Sequence, residues 1–291
     1  MMGEIVTDLS EAGTSKILKT ANGKLHYHEA GEGDPLVLLH GSGPGVSGWG
    51  NFAGNVGVFA EKFRTLILDL PGFGGSEITD GHPMLDAPAA VVSFLDELGI
   101  ERADILGNSM GGWVGADVAA NHPDRVKRLA SIGGVGVNVF SLMPSEGIRA
   151  LVDFVEDPSR PALIRWIQSM LFDQSYLTDE LVERRWEQAT APGAVEWMRK
   201  MYSRTASEAL PGMMAGLFGP PPWLSLARIQ APTLLMWGRD DRVSPVDMAL
   251  LPMRIIPKVE LHVFFDCGHW VMVERKKEFE SVALDFFTRV P

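Results

Sequence analysis

Cysteine is almost absent: Cys267 stands alone in 291 residues, which excludes an internal disulfide and any thiolate metal cluster. No apolar run reaches the roughly 20 residues of a membrane span. The opening Met1-Met2-Gly3-Glu4-Ile5-Val6-Thr7-Asp8 has neither the basic start nor the apolar core of a signal peptide, so a cytoplasmic protein is expected. Positive charge is in deficit. Lys and Arg number 26 against 37 Asp and Glu, a net charge of -11, and neither nucleic acid nor an anionic membrane is an expected partner. The rest is ordinary for a soluble globular chain, with 46% hydrophobic and 22% charged residues and enough length for a sizeable core.

Residues up to about Thr20 carry no periodic signal and read as an arm or an edge segment. Lys24 to Ala30 alternates, with His26 and His28 on one face; without an acidic or further histidine partner they read as surface or edge residues rather than ligands. Leu36-Val37-Leu38-Leu39 is a short continuous apolar run of the buried-strand kind, Ala103 to Leu106 and Leu129 to Gly133 are further apolar strand runs, and Arg64 to Leu68, Thr233 to Gly238 and Val259 to Phe265 also read as strands. Helical spacing marks Pro88 to Leu98, Trp113 to Ala120 and Glu278 to Phe287. Strands that alternate with helices, each strand continuously apolar, predict a mostly parallel sheet with helices on both faces. The reacting groups of such sheets lie beyond the carboxyl ends of the strands.

Between about Pro144 and Trp223 the strands stop. Helical segments follow one another, rich in Trp166, Met170, Phe172, Trp186, Trp197, Met198, Met201, Met213, Met214 and Phe218. A helical insertion between two strands of such a sheet is expected to cover the site as a cap. The chain therefore divides into core residues 1–143, a cap at 144–223 and core residues 224–291.

Three turns carry the chemistry. Gly107-Asn108-Ser109-Met110-Gly111, between a strand and a small-residue helix, has the Gly-x-Ser-x-Gly form of a nucleophile elbow. Such a turn presents the serine oxygen at a helix N-terminus, where a partial positive charge and free N–H groups favour a developing oxyanion. His40-Gly41-Ser42-Gly43-Pro44-Gly45 follows a strand, and since no Gly-Lys-Ser/Thr comes after it a nucleotide site is weakly supported. Its backbone can instead point the Ser42 N–H at the place where Ser109 attacks. Serine needs a base, and the base needs a carboxylate to hold its tautomer. His269, in the loop after the last strand, and Asp241, after the strand before it, stand in the order Ser, Asp, His that an α/β-hydrolase requires. Asp240 reads as a brace for its loop, His40 as structural, His82, His122 and His262 as surface or capping residues, and Cys267 as a buried small hydrophobe.

These motifs, with Gly48-Trp49 and Asn51, Asn108 before the nucleophile, Trp237-Gly238-Arg239-Asp240-Asp241-Arg242, Cys267-Gly268-His269-Trp270 and the run from Asp173-Gln174-Ser175 through Arg185-Trp186-Glu187, resemble the meta-cleavage product hydrolases. The resemblance runs from about Lys24 to the C-terminus. It implies an α/β-hydrolase fold with a helical cap, or lid, and cleavage of the C5–C6 bond of a 2-hydroxy-6-oxo-hexa-2,4-dienoate. The products would be 2-hydroxypenta-2,4-dienoate and a carboxylic acid. By that resemblance Ser109, Asp241 and His269 form the triad, and the N–H groups of Ser42 and Met110 form the oxyanion hole. Arg185 grips the substrate's carboxylate and 2-oxygen beside Asn51, Asn108 and Trp270, while Arg184 faces outward. A guanidinium fork suits the planar oxygens of a dianionic dienolate. Ser42 departs from the third glycine common in relatives, but its N–H is unchanged. Neither metal nor cofactor is implied, because the substrate carries its own electron sink, and a homodimer or larger homo-oligomer is. A carboxylesterase of the same fold is the alternative, and it has no need of the polar set Arg185, Asn108 and Asn51.

Overall fold

In the computed structural model, which describes residues 8–21, 23–141, 143–214 and 221–289, the strands form one eight-stranded sheet. They are β1 (Ser15–Thr20), β2 (Gly23–Ala30), β3 (Pro35–Leu39), β4 (Arg64–Leu68), β5 (Ala103–Asn108), β6 (Val126–Ile132), β7 (Thr233–Gly238) and β8 (Val259–Phe264). Their order is β1-β2-β4-β3-β5-β6-β7-β8. β2 pairs antiparallel with both β1 and β4, and every pairing from β4 to β8 is parallel.

The continuous apolar runs are explained by burial on both faces. Leu36 and Leu38 of β3 face a cluster with Phe52, Phe59, Phe279 and Phe286, while Val37 and Leu39 face Val91, Phe94, Val114 and Val118 on the other side. Each such side chain contributes roughly 1.5–3 kcal/mol when fully buried. Strand order also sets the site. The chain leaves β3 for β4 on one side and returns to β5 on the other, so the turns after β3 and β5 are neighbours at one edge of the sheet. The loops after β7 and β8 open at the same edge, since all these strands run parallel.

The helices Glu146–Glu156, Arg160–Met170, Asp179–Ala189, Ala194–Tyr202 and Arg204–Met214 lie between β6 and β7 in sequence. Ser145, Ser159 and Thr178 cap three of them, accepting from the amides of Ile148, Ala162 and Leu181. Leu151, Phe154, Leu163, Trp166, Met170 and Met198 join the core cluster on one face of the sheet, whereas Phe172 is exposed. Phe218 and the side chains of Met213 and Met214 lie outside the described residues.

Two expectations need correction. The helix read from Pro88 begins at Pro83, because His82 caps it through an N–H bond from Met84 and Pro83 sits in its first turn; Pro88 is inside the helix. Of the paired histidines, His26 is half-buried and does have an acidic partner, Asp69 Oδ2 at 2.7 Å, and His28 is not at the surface. It is 1% exposed, bonded at Nδ1 to Thr14 Oγ1 at 3.0 Å and stacked on Trp49, with β2 inside the sheet rather than at its edge. Burial, aided by neighbouring His26, holds the His28 imidazole down to about 4. Between that value and its ordinary 6.5 the unfolded chain binds a proton that the folded protein refuses, so stability falls as the pH drops from 6.5 to 4. His28→Asn is expected to flatten the dependence of the urea midpoint on pH across that window; an unchanged slope would exclude His28 as its source.

Candidate active site

Ser109 lies between β5 and the helix Met110–Asn121 with φ 51° and ψ -117°, a left-handed conformation that costs a side-chain-bearing residue about 1–3 kcal/mol. Its amide donates to Ile132 C=O at 2.7 Å, tying the turn to β6. A Cβ on Gly107 would lie 2.2 Å from the Gly111 carbonyl carbon, and one on Gly111 would lie 2.2 Å from the Leu39 oxygen. Strand, turn and helix therefore touch backbone to backbone, and only glycine fits at those two positions.

His269 Nδ1 and Asp241 Oδ2 are 2.6 Å apart, with both side chains 1% exposed. The other oxygen of Asp241 accepts from the amides of Val243 and Ser244, each at 2.8 Å. That carboxylate is thus fixed on both sides, and an N–H at Nδ1 leaves Nε2 as an acceptor. Nε2 is buried and has no hydrogen-bond partner among the described residues. It is the group that a serine hydroxyl or a leaving group would use. Asp240 lies outside the pair, 3.2 Å from Arg239, with its amide on Cys267 C=O at 2.9 Å.

The turn after β3 approaches the elbow closely: a Cβ on Gly41 would lie 3.2 Å from that of Ser109. Neither the Ser42 N–H nor the Met110 N–H has a hydrogen-bond partner among the described residues. Ser42 Oγ is hydrogen-bonded to Tyr202 Oη, from the end of the helix Ala194–Tyr202. Burial pushes that phenol above its ordinary range. No motif marks Tyr202 in the sequence, since a lone tyrosine at a helix end has no spacing to betray it. Tyr202→Phe removes one hydrogen bond, of about 0.5–1.5 kcal/mol, and is expected to lower kcat/KM about two- to tenfold. A loss beyond 100-fold would mean that the phenol itself takes part in the chemistry.

Arg185 projects from the helix Asp179–Ala189 and is 4% exposed, while Arg184 beside it is exposed. Among the described residues its guanidinium makes one hydrogen bond, from Nη1 to Pro44 C=O at 3.4 Å, and pairs with no carboxylate. The guanidinium carbon sits 5.2 Å from the Trp270 ring and 5.9 Å from that of Trp166. Burial holds it down to about 9, still cationic at neutral pH. Asn51 Nδ2 donates to Asn108 Oδ1 at 3.1 Å, and Asn108 Nδ2 to Ile132 C=O at 3.4 Å, both residues being buried. Asn51, Arg185 and Trp270 line a cavity of about 220 Å³ together with Tyr176, Leu181 and Met272. Ser109 and His269 do not line it.

The remaining residues have structural surroundings. His40 is fully buried, accepts the Leu70 amide at Nε2 at 2.9 Å and meets Gly41 C=O at Nδ1 at 2.5 Å. Cys267 is fully buried, and its thiol is pushed far above the ordinary range by burial. Among the described residues no group of three or more His, Cys, Asp or Glu could hold a metal ion.

A parallel sheet with a strained serine elbow after β5 and a buried His–Asp pair after β7 and β8 defines the α/β hydrolases, and a family model for the alpha/beta hydrolase fold matches residues 34–276. The 2-hydroxy-6-oxo-6-phenylhexa-2,4-dienoate hydrolase of Comamonas testosteroni is 38% identical, over 97% of this chain and 99% of that one. A 2-hydroxy-6-oxononadienedioate/2-hydroxy-6-oxononatrienedioate hydrolase of the same species is 36% identical over the same shares. Among solved structures, the 2-hydroxy-6-oxo-6-phenylhexa-2,4-dienoate hydrolase of Rhodococcus sp. strain RHA1 superposes with a TM-score of 0.82 at 28% identity, covering 95% of this chain and 100% of that one. The chain belongs to the meta-cleavage product hydrolases, which are serine-dependent carbon–carbon bond hydrolases.

Proposed function

We propose that this chain hydrolyses the C5–C6 bond of a 2-hydroxy-6-oxo-hexa-2,4-dienoate, with Ser109, His269 and Asp241 as its triad. The single observation that carries the substrate class is Arg185: a buried guanidinium without a counter-ion among the described residues is a site waiting for an anion, and an apolar ester brings none. The dienoate's carboxylate and 2-oxygen supply it, with Asn51, Asn108 and Trp270 around them.

In the first step the dienol gains a proton at C5 and becomes a ketone at C2, which gives the C5–C6 bonding electrons somewhere to go. Ser109 Oγ then adds to the C6 ketone as His269 Nε2 takes its proton. The oxyanion lies against the Ser42 and Met110 N–H groups, a stabilisation worth about 3–4 kcal/mol per donor. Collapse breaks C5–C6 and releases 2-hydroxypenta-2,4-dienoate. The acyl group left on Ser109 passes to water as a carboxylic acid.

Residues 144–223 act as a cap over this chemistry. Support for that role comes from the bonds the segment makes to the site's loops: Arg185 to Pro44, Tyr202 to Ser42, Trp197 Nε1 to Pro71 C=O at 3.0 Å and Met170 C=O to the His269 amide at 2.7 Å. A homodimer or larger homo-oligomer and a cytoplasmic location go with the reading, and sedimentation of the purified protein measures the first. Mixing the protein with the yellow 6-phenyl and 6-methyl dienoates and with p-nitrophenyl acetate tests the chemistry. Rapid bleaching of a dienoate with slow ester turnover is expected. Fast ester turnover with both dienoates untouched would replace the reading with an esterase.

A further inference from the structure

Glu274 is the last residue of the short helix Val271–Glu274, five residues after His269 and outside every motif discussed above. One carboxylate oxygen accepts from the amides of Phe172 and Asp173, each at 2.8 Å, and the other from the amide of Gly268 at 2.8 Å. The first two amides belong to the segment that leads from the helix Arg160–Met170 towards the helix that carries Arg185. The third belongs to the residue before the catalytic histidine. A separate bond joins the same two segments directly, from the His269 amide to Met170 C=O at 2.7 Å. A Cβ on Gly268 would lie 2.5 Å from that same carbonyl oxygen, so the segments are in backbone contact.

Nothing in this arrangement is generic to a helix end. A half-buried carboxylate costs solvation, and burial raises the Glu274 carboxyl above its ordinary range despite three N–H donors. Amides from two distant stretches of chain converge on it. We propose that Glu274 is a positioning residue that latches the helical insertion to the histidine loop, holding His269 and the Arg185 helix in one register. It touches neither substrate nor reacting atoms and acts through the Gly268 amide on the orientation of the His269 ring. A substrate gripped at one end by Arg185 and attacked at the other with the help of His269 needs those two groups at a fixed separation, since a misplacement of about 1 Å can cost 10²-fold.

The inference rests on the triad reading above, and its test has a readout independent of dienoate turnover. Glu274→Ala removes all three acceptor bonds. Glu274→Gln keeps the shape and one acceptor oxygen. Expected for Glu274→Ala is a kcat about 10- to 100-fold below the parent with KM within about threefold, and for Glu274→Gln a kcat loss of about three- to tenfold. In both variants the downfield proton resonance of the His269–Asp241 hydrogen bond is expected to shift or broaden. A kcat within about twofold of the parent in both variants overturns the latch, and so does a loss of kcat with that resonance unmoved, since a purely structural role would leave the pair intact. Should Glu274→Ala fail to fold, the isosteric Glu274→Gln decides by the same two readouts. A parent protein that bleaches no dienoate would overturn the hydrolase reading, and the resonance would still test the latch.

Discussion

Ser109→Ala is expected to lower kcat for the dienoate by about 10⁴-fold or more while leaving dienoate affinity within a factor of about three. Both halves follow from the geometry. The hydroxyl proposed to add to C6 is removed, and the buried His269–Asp241 pair loses the serine it is proposed to activate. The Arg185 cavity is lined by none of the triad residues, so the carboxylate end of the substrate should bind as before. The measurement is single-turnover absorbance for bleaching, together with titration of the dienoate spectrum for affinity. A Ser109→Ala protein that turns over at the parental rate would sink the assignment. An affinity that collapses along with the rate would instead place the serine in substrate binding.

Arg185→Met is expected to act in opposite directions on function and on stability. Removing one partner of a buried charged pair costs about 2–5 kcal/mol, or roughly 30- to 5,000-fold in kcat/KM, with KM raised and kcat lowered together. In the free protein the same guanidinium is buried against Trp166 and Trp270 with one long hydrogen bond and no carboxylate among the described residues, a charge held out of water before its ligand arrives. Replacement by an apolar side chain of similar length should therefore be neutral or raise unfolding stability, by up to about 4 kcal/mol. Denaturant unfolding of the free variant, set beside its steady-state kinetics, reads both effects. Arg185→Lys keeps the charge but loses the fork, and it should fall between parent and Met on kcat/KM. An Arg185→Met protein with the parental KM would remove Arg185 from substrate binding.

Much of this molecule is written locally. The strand runs at Leu36, Arg64 and Thr233 have the boundaries seen in the sheet to within a residue or two, because a strand buried on both faces is apolar at nearly every position, whereas the run at Val259 forms the exposed edge strand β8, with Glu260 and His262 alternating among its apolar residues. Gly107 and Gly111 announced the elbow, since close backbone approach admits no other residue. The chain order Ser109, Asp241, His269 singled out the pair that is found at 2.6 Å. Other features were hidden. His28 looked like an alternating surface residue, and only the packing of Trp49 and the Thr14 segment over β2 buries it.

The sequence by itself determined which side chains are available for the chemistry and which turns they stand in, because turn geometry and strand burial depend on neighbours in the chain. The tertiary structure alone decided what those side chains meet. Ser42 is bonded to Tyr202 160 residues away, Arg185 to Pro44 across 141, and the two amides that Glu274 accepts from Phe172 and Asp173 lie about 100 residues before it. Contacts at such separations leave no periodic trace, since each forms only when the helical insertion settles on the edge of the sheet where β3, β5, β7 and β8 end.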